Sequence, residues 1–440
     1  MNHAVHSPAS IDTLVLGAGV VGVCTALHLQ QRGQRVVLVD QQEPGQGTSY
    51  GNAGLLERAS VIPYAMPYSL RTLMRYAGNR QPDVRFQWRA MPHLTPWLWR
   101  YWRHSSPANL ARAAADMLPL IERCLTEHDA LVKAAGLQSL IRESGWMDIY
   151  RDPAAFALAA AEARALLEPY RLRADVLDAE ALKAREPGFL PQARMAGAIH
   201  WLDPWSVSSP GDLVKGYARL FVERGGQLRR ADARRLQYQG AAAGAAPGQD
   251  SAHRPNWVLA TDSGTMAAAH VVIALGPDAA DVYRPLGYRM PLVHKRGYHL
   301  HFRPHPGQPV PRVPMCDSKG GFVLSDMKDG VRLTTGVSLT LPDAPAEALQ
   351  LRHAETIARQ FWPLGTAVER EPWMGRRPCM PDMRPVIGPA ARHQGLWFNF
   401  GHAHHGLTLG AVSGRLLAEM MTGETPLTNP APYSPTRFGA

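Results

Sequence analysis

Residues 11–40 read IDTLVLGAGVVGVCTALHLQQRGQRVVLVD, and they leave little choice of local structure. TLVLG is a short, continuous apolar run, as expected of a strand buried on both faces in a parallel sheet. It runs into Gly17, Gly19 and Gly22. From Val20 to Gln31 the apolar residues Val20, Val21, Val23, Ala26, Leu27 and Leu29 cover much of one helical surface, and Gly33 ends it. A second apolar run then closes on Asp40. Strand, tight turn, helix and strand within thirty residues make a parallel β-α-β unit.

The glycine spacing gives the turn a chemical purpose. Gly17 permits the tight turn, Gly19 lets the backbone approach a pyrophosphate, and Gly22 lets helix and strand pack closely. The phosphates then sit at the positive end of the helix, and Asp40 accepts hydrogen bonds from ribose hydroxyls while repelling a 2'-phosphate. This fingerprint does not choose between NAD and FAD. A second loop, GQGTSYGNAGLLE at 45–57, favours a cofactor that runs on past its pyrophosphate, as FAD does. In it Thr48, Ser49 and Asn52 offer hydrogen bonds while Gly51 and Gly54 keep the backbone close.

A chain of 440 residues, 45% hydrophobic, fills two intimately joined domains. Cys24, Cys124, Cys316 and Cys379 are scattered without a C-x-x-C pair, which argues against a disulfide framework or zinc ribbon and fits a reducing cytosol. The opening MNHAVHSPAS lacks a basic start followed by an apolar core, and no apolar run reaches about 18 residues. A cytoplasmic protein is therefore expected, with contact at the inner face of the cytoplasmic membrane as a variant. The net charge of +10 rests mostly on dispersed arginines, so a generally basic enzyme is expected and a nucleic-acid partner is not.

Residues 60–200 read mostly as helices and loops, an insertion suited to a substrate or cap domain. Within it, HLTPWLWRYWRHS sets Trp97, Trp99, Tyr101 and Trp102 beside Arg100 and Arg103. A packed helix at a domain junction is the first reading, a membrane-interface segment the second and a base-stacking surface the third. Ser209 and Pro210 start a helix that Gly225 and Gly226 end. Residues 240–256 read as a mobile hairpin loop of low complexity. NWVLATDSGTMAAAHVVIALGP then gives a strand, a turn, another strand and a final buried strand ending at Gly276, whose backbone can meet the dinucleotide again. Alternating stretches across 286–377 predict an antiparallel sheet.

Taken together, GAGVVG, TSYGNAG, HVVIALGP, WMGRRPCMPDMRPVIGP and GLWFNFGHAHHGLTLGAVSGR resemble the FAD-dependent D-amino-acid oxidase superfamily, within it most closely the bacterial D-amino-acid dehydrogenases. The resemblance implies an α/β fold: a Rossmann-like FAD-binding domain with a central parallel sheet and a β-meander, interleaved with an α+β substrate domain containing an antiparallel sheet. Residues 10–60, 200–285 and 378–440 fall to the first, and 61–199 with 286–377 to the second. Noncovalent FAD is implied, since Cys379 lies too near Pro381 and Asp382 to match the cysteine that carries flavin in some relatives. The implied cofactor set is Gly17, Gly19, Val20, Val21, Gly22, Asp40, Gln41, Thr48, Ser49, Asn52, Ala53, Gly54, Gly276, Gly401, His402, Gly406, Leu407 and Thr408.

By position Arg377 matches the arginine that holds a substrate carboxylate in the family, a role that a planar guanidinium suits. Tyr298, in KRGYHLHF, matches a tyrosine facing the flavin, and His299 would alternate to the other face. Arg376 departs from the family pattern and is expected either at solvent or adding attraction for an anion. The implied reaction is oxidation of an amino acid's Cα–N bond by hydride transfer to flavin N5, then hydrolysis to a 2-oxo acid and ammonia, with quinone or oxygen as electron acceptor. The helix starting near Gly406 would direct its positive end at the reduced flavin. Rival readings are a glycine, sarcosine or proline-like secondary amine as substrate, a flavoenzyme acting on modified tRNA, and a noncatalytic FAD-binding subunit.

His402, His404 and His405 invite a metal reading, but no nearby cluster of carboxylates or cysteines accompanies them, and in a helix start His404 would diverge from the other two. No metal is expected. The resemblance instead sets His402 beside the flavin, with Ala403 standing where the family has a glycine.

Overall fold

The computed structural model describes residues 11–79, 81–240 and 256–439. The opening decapeptide, read for a secretion signal, and most of the 240–256 loop lie outside the described residues.

The β-α-β unit forms as strand Ile11–Leu16, helix Val20–Gln31 and strand Val36–Asp40. Its strands lie in a parallel sheet ordered Gln227–Arg230, Val36–Asp40, Ile11–Leu16, Gly264–Ile273 and Leu396–Phe400. Leu14, Val15, Leu16, Leu38 and Val39 are wholly buried, the reason these runs are continuously apolar. The helix packs against a C-terminal helix, Gly406–Thr422. Two glycines in the latter allow the approach, since a Cβ on Gly414 would lie 2.8 Å from the Thr25 nitrogen and one on Gly410 2.9 Å from Val20 Cγ2.

A meander of Leu236–Tyr238, Trp257–Thr261 and Gly264–Ile273 extends this sheet. The two strands expected after the DSG turn are one ten-residue strand. Its first half pairs antiparallel with Trp257–Thr261 and its second half parallel with Ile11–Leu16 and Leu396–Phe400, so the change of neighbour needs no break. Gly276 lies beyond it, opening a 3₁₀ turn at φ +55°. Ser209 caps the helix Pro210–Glu223, its hydroxyl accepting from the Asp212 N–H.

The second sheet has ten strands, centred on Val293–Phe302, Gly330–Thr335 and Phe322–Met327 in antiparallel pairing. Trp373–Cys379 pairs antiparallel with Val293–Phe302. The segment 60–200 is mostly helix and loop, as read, with a few short strands added. Its helices are present, among them Met91–His104, Pro107–Ala135 and Pro153–Tyr170. It also gives this sheet Val84–Phe86, Trp146–Tyr150, Ala174–Asp178 and Gly197–Trp201. These strands are three to five residues long, too short for alternation to stand out, and pairing with other strands fixes them.

In the tryptophan-rich helix Leu94, Trp97 and Tyr101 are buried, as a packed junction helix requires. The rest of this surface is not covered. Trp88 is 65% exposed and Trp99 58%, while Trp102 stacks between Trp99 and Tyr68. No helix among the described residues is long and apolar enough to cross a membrane.

Candidate active site

The glycine turn, the 45–57 loop, the paired strands Val293–Phe302 and Trp373–Cys379 and the start of the C-terminal helix enclose a cavity of about 1330 Å³. Gly17 sits at φ +109°, and a Cβ there would meet the Ala274 carbonyl oxygen at 2.6 Å; one on Gly22 would fall 1.8 Å from the Gly17 oxygen. Neither position admits a side chain. A Cβ on Gly19 would have Ser49 Oγ, at 3.4 Å, as its one close neighbour, so this glycine borders open space. Ser49 Oγ accepts from the Val20 N–H at 3.1 Å, tying the second loop to the helix N-terminus. Asp40 accepts from the Ala18 and Gln42 N–H groups, at 2.6 and 2.9 Å, which fixes its carboxylate at the cavity wall beside Gln41.

The 45–57 loop is held from behind. Thr48 donates to the Arg376 carbonyl, Asn52 Oδ1 accepts from the Gly54 and Leu55 N–H groups, and the Ala53 carbonyl accepts from Ser325. Arg332, a buried residue that the sequence did not mark, donates to the Tyr50 and Asn52 carbonyls at 2.9 and 2.7 Å and to His301 Nε2 at 2.8 Å. His301 in turn bonds Glu369 through Nδ1. Gly51 makes room for Trp373, whose Cζ3 would lie 1.7 Å from a Cβ there.

The strand register decides which candidate residues meet. Lys295 faces Arg377, Gly297 faces Gly375 and Tyr298 faces Met374. Alternation then puts Lys295, Gly297 and Arg377 on one face. The Arg377 side chain lies over Gly297, where a Cβ would stand 2.5 Å from Nη2. Its Nη1 donates to the Gly336 carbonyl at 2.7 Å and its Nη2 to the Thr335 carbonyl at 3.0 Å, and burial lowers its pKa. The Lys295 ammonium is held 4.1 Å from the Tyr101 ring centre and 5.3 Å from that of Trp97.

Tyr298 takes the opposite face. It is 2% exposed, packs in the core of the second sheet, and its hydroxyl accepts from the Glu347 N–H at 3.1 Å. The odd–even alternation of the strand turns its side chain to the face opposite Arg377, although both residues border the cavity. His299 is the neighbour that shares the Arg377 face, stacked on Trp373. Arg376 falls on the strand face opposite Arg377 and pairs with Asp278 at 2.8 Å, both residues bordering the cavity.

The three histidines do not start a helix. Gly401 at φ +86° and Ala403 at φ +53° make a tight turn, and the helix begins only at Gly406. Ala403 thus adopts the left-handed conformation that the family's glycine takes freely. His402 turns inward to Ser413 Oγ at 3.0 Å, and burial lowers its pKa to about 3. His404 and His405 stay together, with ring centres 4.1 Å apart, and not His402 with His405 as a helix would have it. Beside them stands a carboxylate that the sequence did not place there: Glu57 Oε2 lies 3.4 Å from His405 Nε2. Glu57 is fixed by the short strand Leu55–Leu56 and by Thr408, whose hydroxyl accepts the Glu57 N–H and donates to the Leu55 carbonyl. Its only sequence signal was its place at the end of the glycine-rich loop. Leu407 is anchored through its carbonyl to His128 Nε2, at 2.7 Å.

Residues 12–420 match the DAO family, described as FAD dependent oxidoreductase. The chain is an FAD-dependent oxidoreductase of that family. The chain is 30% identical to a D-amino-acid oxidase of Bradyrhizobium diazoefficiens over 98% of its length and 100% of the relative. It is 27% identical to a D-amino acid dehydrogenase of Chromohalobacter salexigens, over 98% and 100% respectively. In fold it is similar to glycine oxidase from Geobacillus kaustophilus, with a TM-score of 0.68 at 21% identity, covering 97% of this chain and 98% of that one.

The residues present fit the family's FAD. The glycine turn bars side chains at two positions while leaving Gly19 open, and the cavity that starts there continues to Arg377 with more volume than a small substrate needs.

Proposed function

We propose that this oxidoreductase converts a D-amino acid to its imine, which water hydrolyses to a 2-oxo acid and ammonia. One observation carries the reading. Arg377, a half-buried residue whose guanidinium is locked on two carbonyls, lines the same cavity as the dinucleotide cradle. Of its five N–H groups two are engaged, so three remain for an anion. A carboxylate paired there is held in one orientation, which converts an encounter into a positioned reaction. Lys295 adds positive charge without competing for the same geometry. FAD supplies the acceptor for the hydride leaving Cα. Gly406 and Leu407 line the cavity, so the positive end of the C-terminal helix opens on it and favours negative charge there.

The names of the two relatives support a D-amino acid as substrate. Noncovalent attachment is supported by Cys379, which is 3% exposed and whose thiol burial keeps protonated. Peripheral membrane contact, with delivery of electrons to a quinone, is supported by the exposed Trp88 and Trp99 beside Arg89 and Arg100. Anaerobic bleaching of the flavin with D-amino acids, L-amino acids, glycine, sarcosine and proline tests the reaction. Reduction by D-amino acids is expected, and reduction by N-substituted substrates alone would replace this reading with the secondary-amine one.

A further inference from the structure

The cavity carries a second polar centre that carboxylate binding leaves unused. His404 Nε2 is buried without a hydrogen-bond partner, and Glu57 Oε2 and His405 Nε2, also buried, make no hydrogen bond and meet only each other as an ion-pair contact at 3.4 Å. One ligating atom from each of these residues lies within 4.8 Å of the others. The Tyr64 ring stands edge-on to His404, centres 4.4 Å apart, and all four residues line the cavity. Buried polar atoms are costly to leave unmet. The elements that hold these in place, the Leu55–Leu56 strand, Thr408 and the turn at Ala403, do not satisfy them.

The charge around the cluster narrows its guest. Two imidazoles and a carboxylate form a donor set that also suits a divalent metal. Yet beyond burial and the neighbouring His405, the cations Arg377 and Lys295 also push the His404 pKa down. The same two cations oppose a metal ion or a second ammonium. A neutral hydroxyl meets no such opposition: it can donate to Glu57 or to an imidazole and accept from the other imidazole.

We infer that Glu57, His404 and His405 form a hydroxyl-recognition subsite, and that the substrate is an amino or imino acid with a hydroxyl on its side chain. This rests on the reading that Arg377 takes the carboxylate. The arrangement then grips a substrate at two ends, and a guest without the hydroxyl leaves the cluster unpaired in the bound state.

The test compares kcat/KM in the holoenzyme for D-serine against D-alanine, D-homoserine against D-2-aminobutyrate, and the 4-hydroxy-D-prolines against D-proline. At least one hydroxylated member is expected to lead its partner by about 10²-fold or more. In His404→Leu and in the near-isosteric Glu57→Gln, with the FAD spectrum retained, that ratio is expected to fall to within about fivefold. The inference is overturned if wild-type enzyme uses every deoxy partner equally well, or if neither variant changes the ratio. It is also overturned if one equivalent of zinc co-purifies with the wild type and is lost in His404→Leu. Efficient turnover of deoxy D-amino acids without preference would leave the proposed reaction standing, whereas failure of every amino acid to reduce the flavin would remove both.

Discussion

Replacing Arg377 by lysine is the most direct test of how the site holds its substrate. The guanidinium spends one N–H on the Gly336 carbonyl and one on the Thr335 carbonyl, and its rigid fork still presents donors to a carboxylate. Two charge-assisted hydrogen bonds at about 1.5–3 kcal/mol each amount to roughly 3–6 kcal/mol. A lysine ammonium has three donors on a flexible stem and would be drawn to the same two carbonyls. It keeps the charge but loses the bidentate geometry, about half of that total, so kcat/KM is expected to fall roughly 10²-fold in Arg377→Lys. Arg377→Met removes the charge as well and should cost roughly 10³–10⁴-fold. Stopped-flow reduction of the flavin across substrate concentration separates binding from the reductive step, and the FAD spectrum reports integrity. Arg377→Lys within threefold of wild type would refute the assignment, because a point charge would then do all that the fork is credited with.

Gly297→Ala reaches the same group without touching its charge. The new methyl would stand 2.5–2.7 Å from the guanidinium, which must swing off its carbonyls, so a loss of about tenfold in kcat/KM is expected with FAD content unchanged. Ala403→Gly relieves a left-handed alanine, and urea unfolding should show a gain of up to about 1 kcal/mol. Acid sensitivity follows from buried histidines. Burial lowers His28 and His402 to about 3, His128 to about 4 and His299 to about 2. Below about pH 6.5 the unfolded chain binds these protons and the folded chain does not, so stability falls as pH drops. Burial raises Asp148 to about 6 and Glu186 to about 7; both bind protons in the folded state there and offset part of the loss. Six further histidines, His404 among them, are also lowered by burial, so the net effect is proton uptake on unfolding; stability should fall from pH 6 to 5, and a flat unfolding profile there would contradict it. Finally, Trp88→Ser with Trp99→Ser should reduce co-sedimentation with anionic lipid vesicles severalfold while leaving amino-acid-dependent flavin reduction in place.

The sequence alone determined whatever is coded within a few consecutive residues. The 11–40 unit, the Ser209 cap and the strands of 286–377 form where they were read, because periodicity, glycine spacing and capping chemistry act locally. Arg377 and the glycine-rich loops were legible as candidates for the same reason, their motifs being contiguous. Tertiary structure decided what depends on register and on distant partners. Strand register sends the Tyr298 and Arg377 side chains to opposite faces of the sheet, the Tyr298 ring packing in the core. Four short strands in 60–200 join a sheet whose other strands come from the far half of the chain, Trp146–Tyr150 and Val84–Phe86 making the pairings across. The histidine turn shows the division most clearly. Its residues were visible as a cluster, yet the left-handed Ala403 parts His402 from its neighbours, and a strand some 350 positions away in sequence brings Glu57 to His405. Local sequence sets which groups are available, but backbone handedness and long-range pairing set which of them share a point in space, and chemistry depends on that.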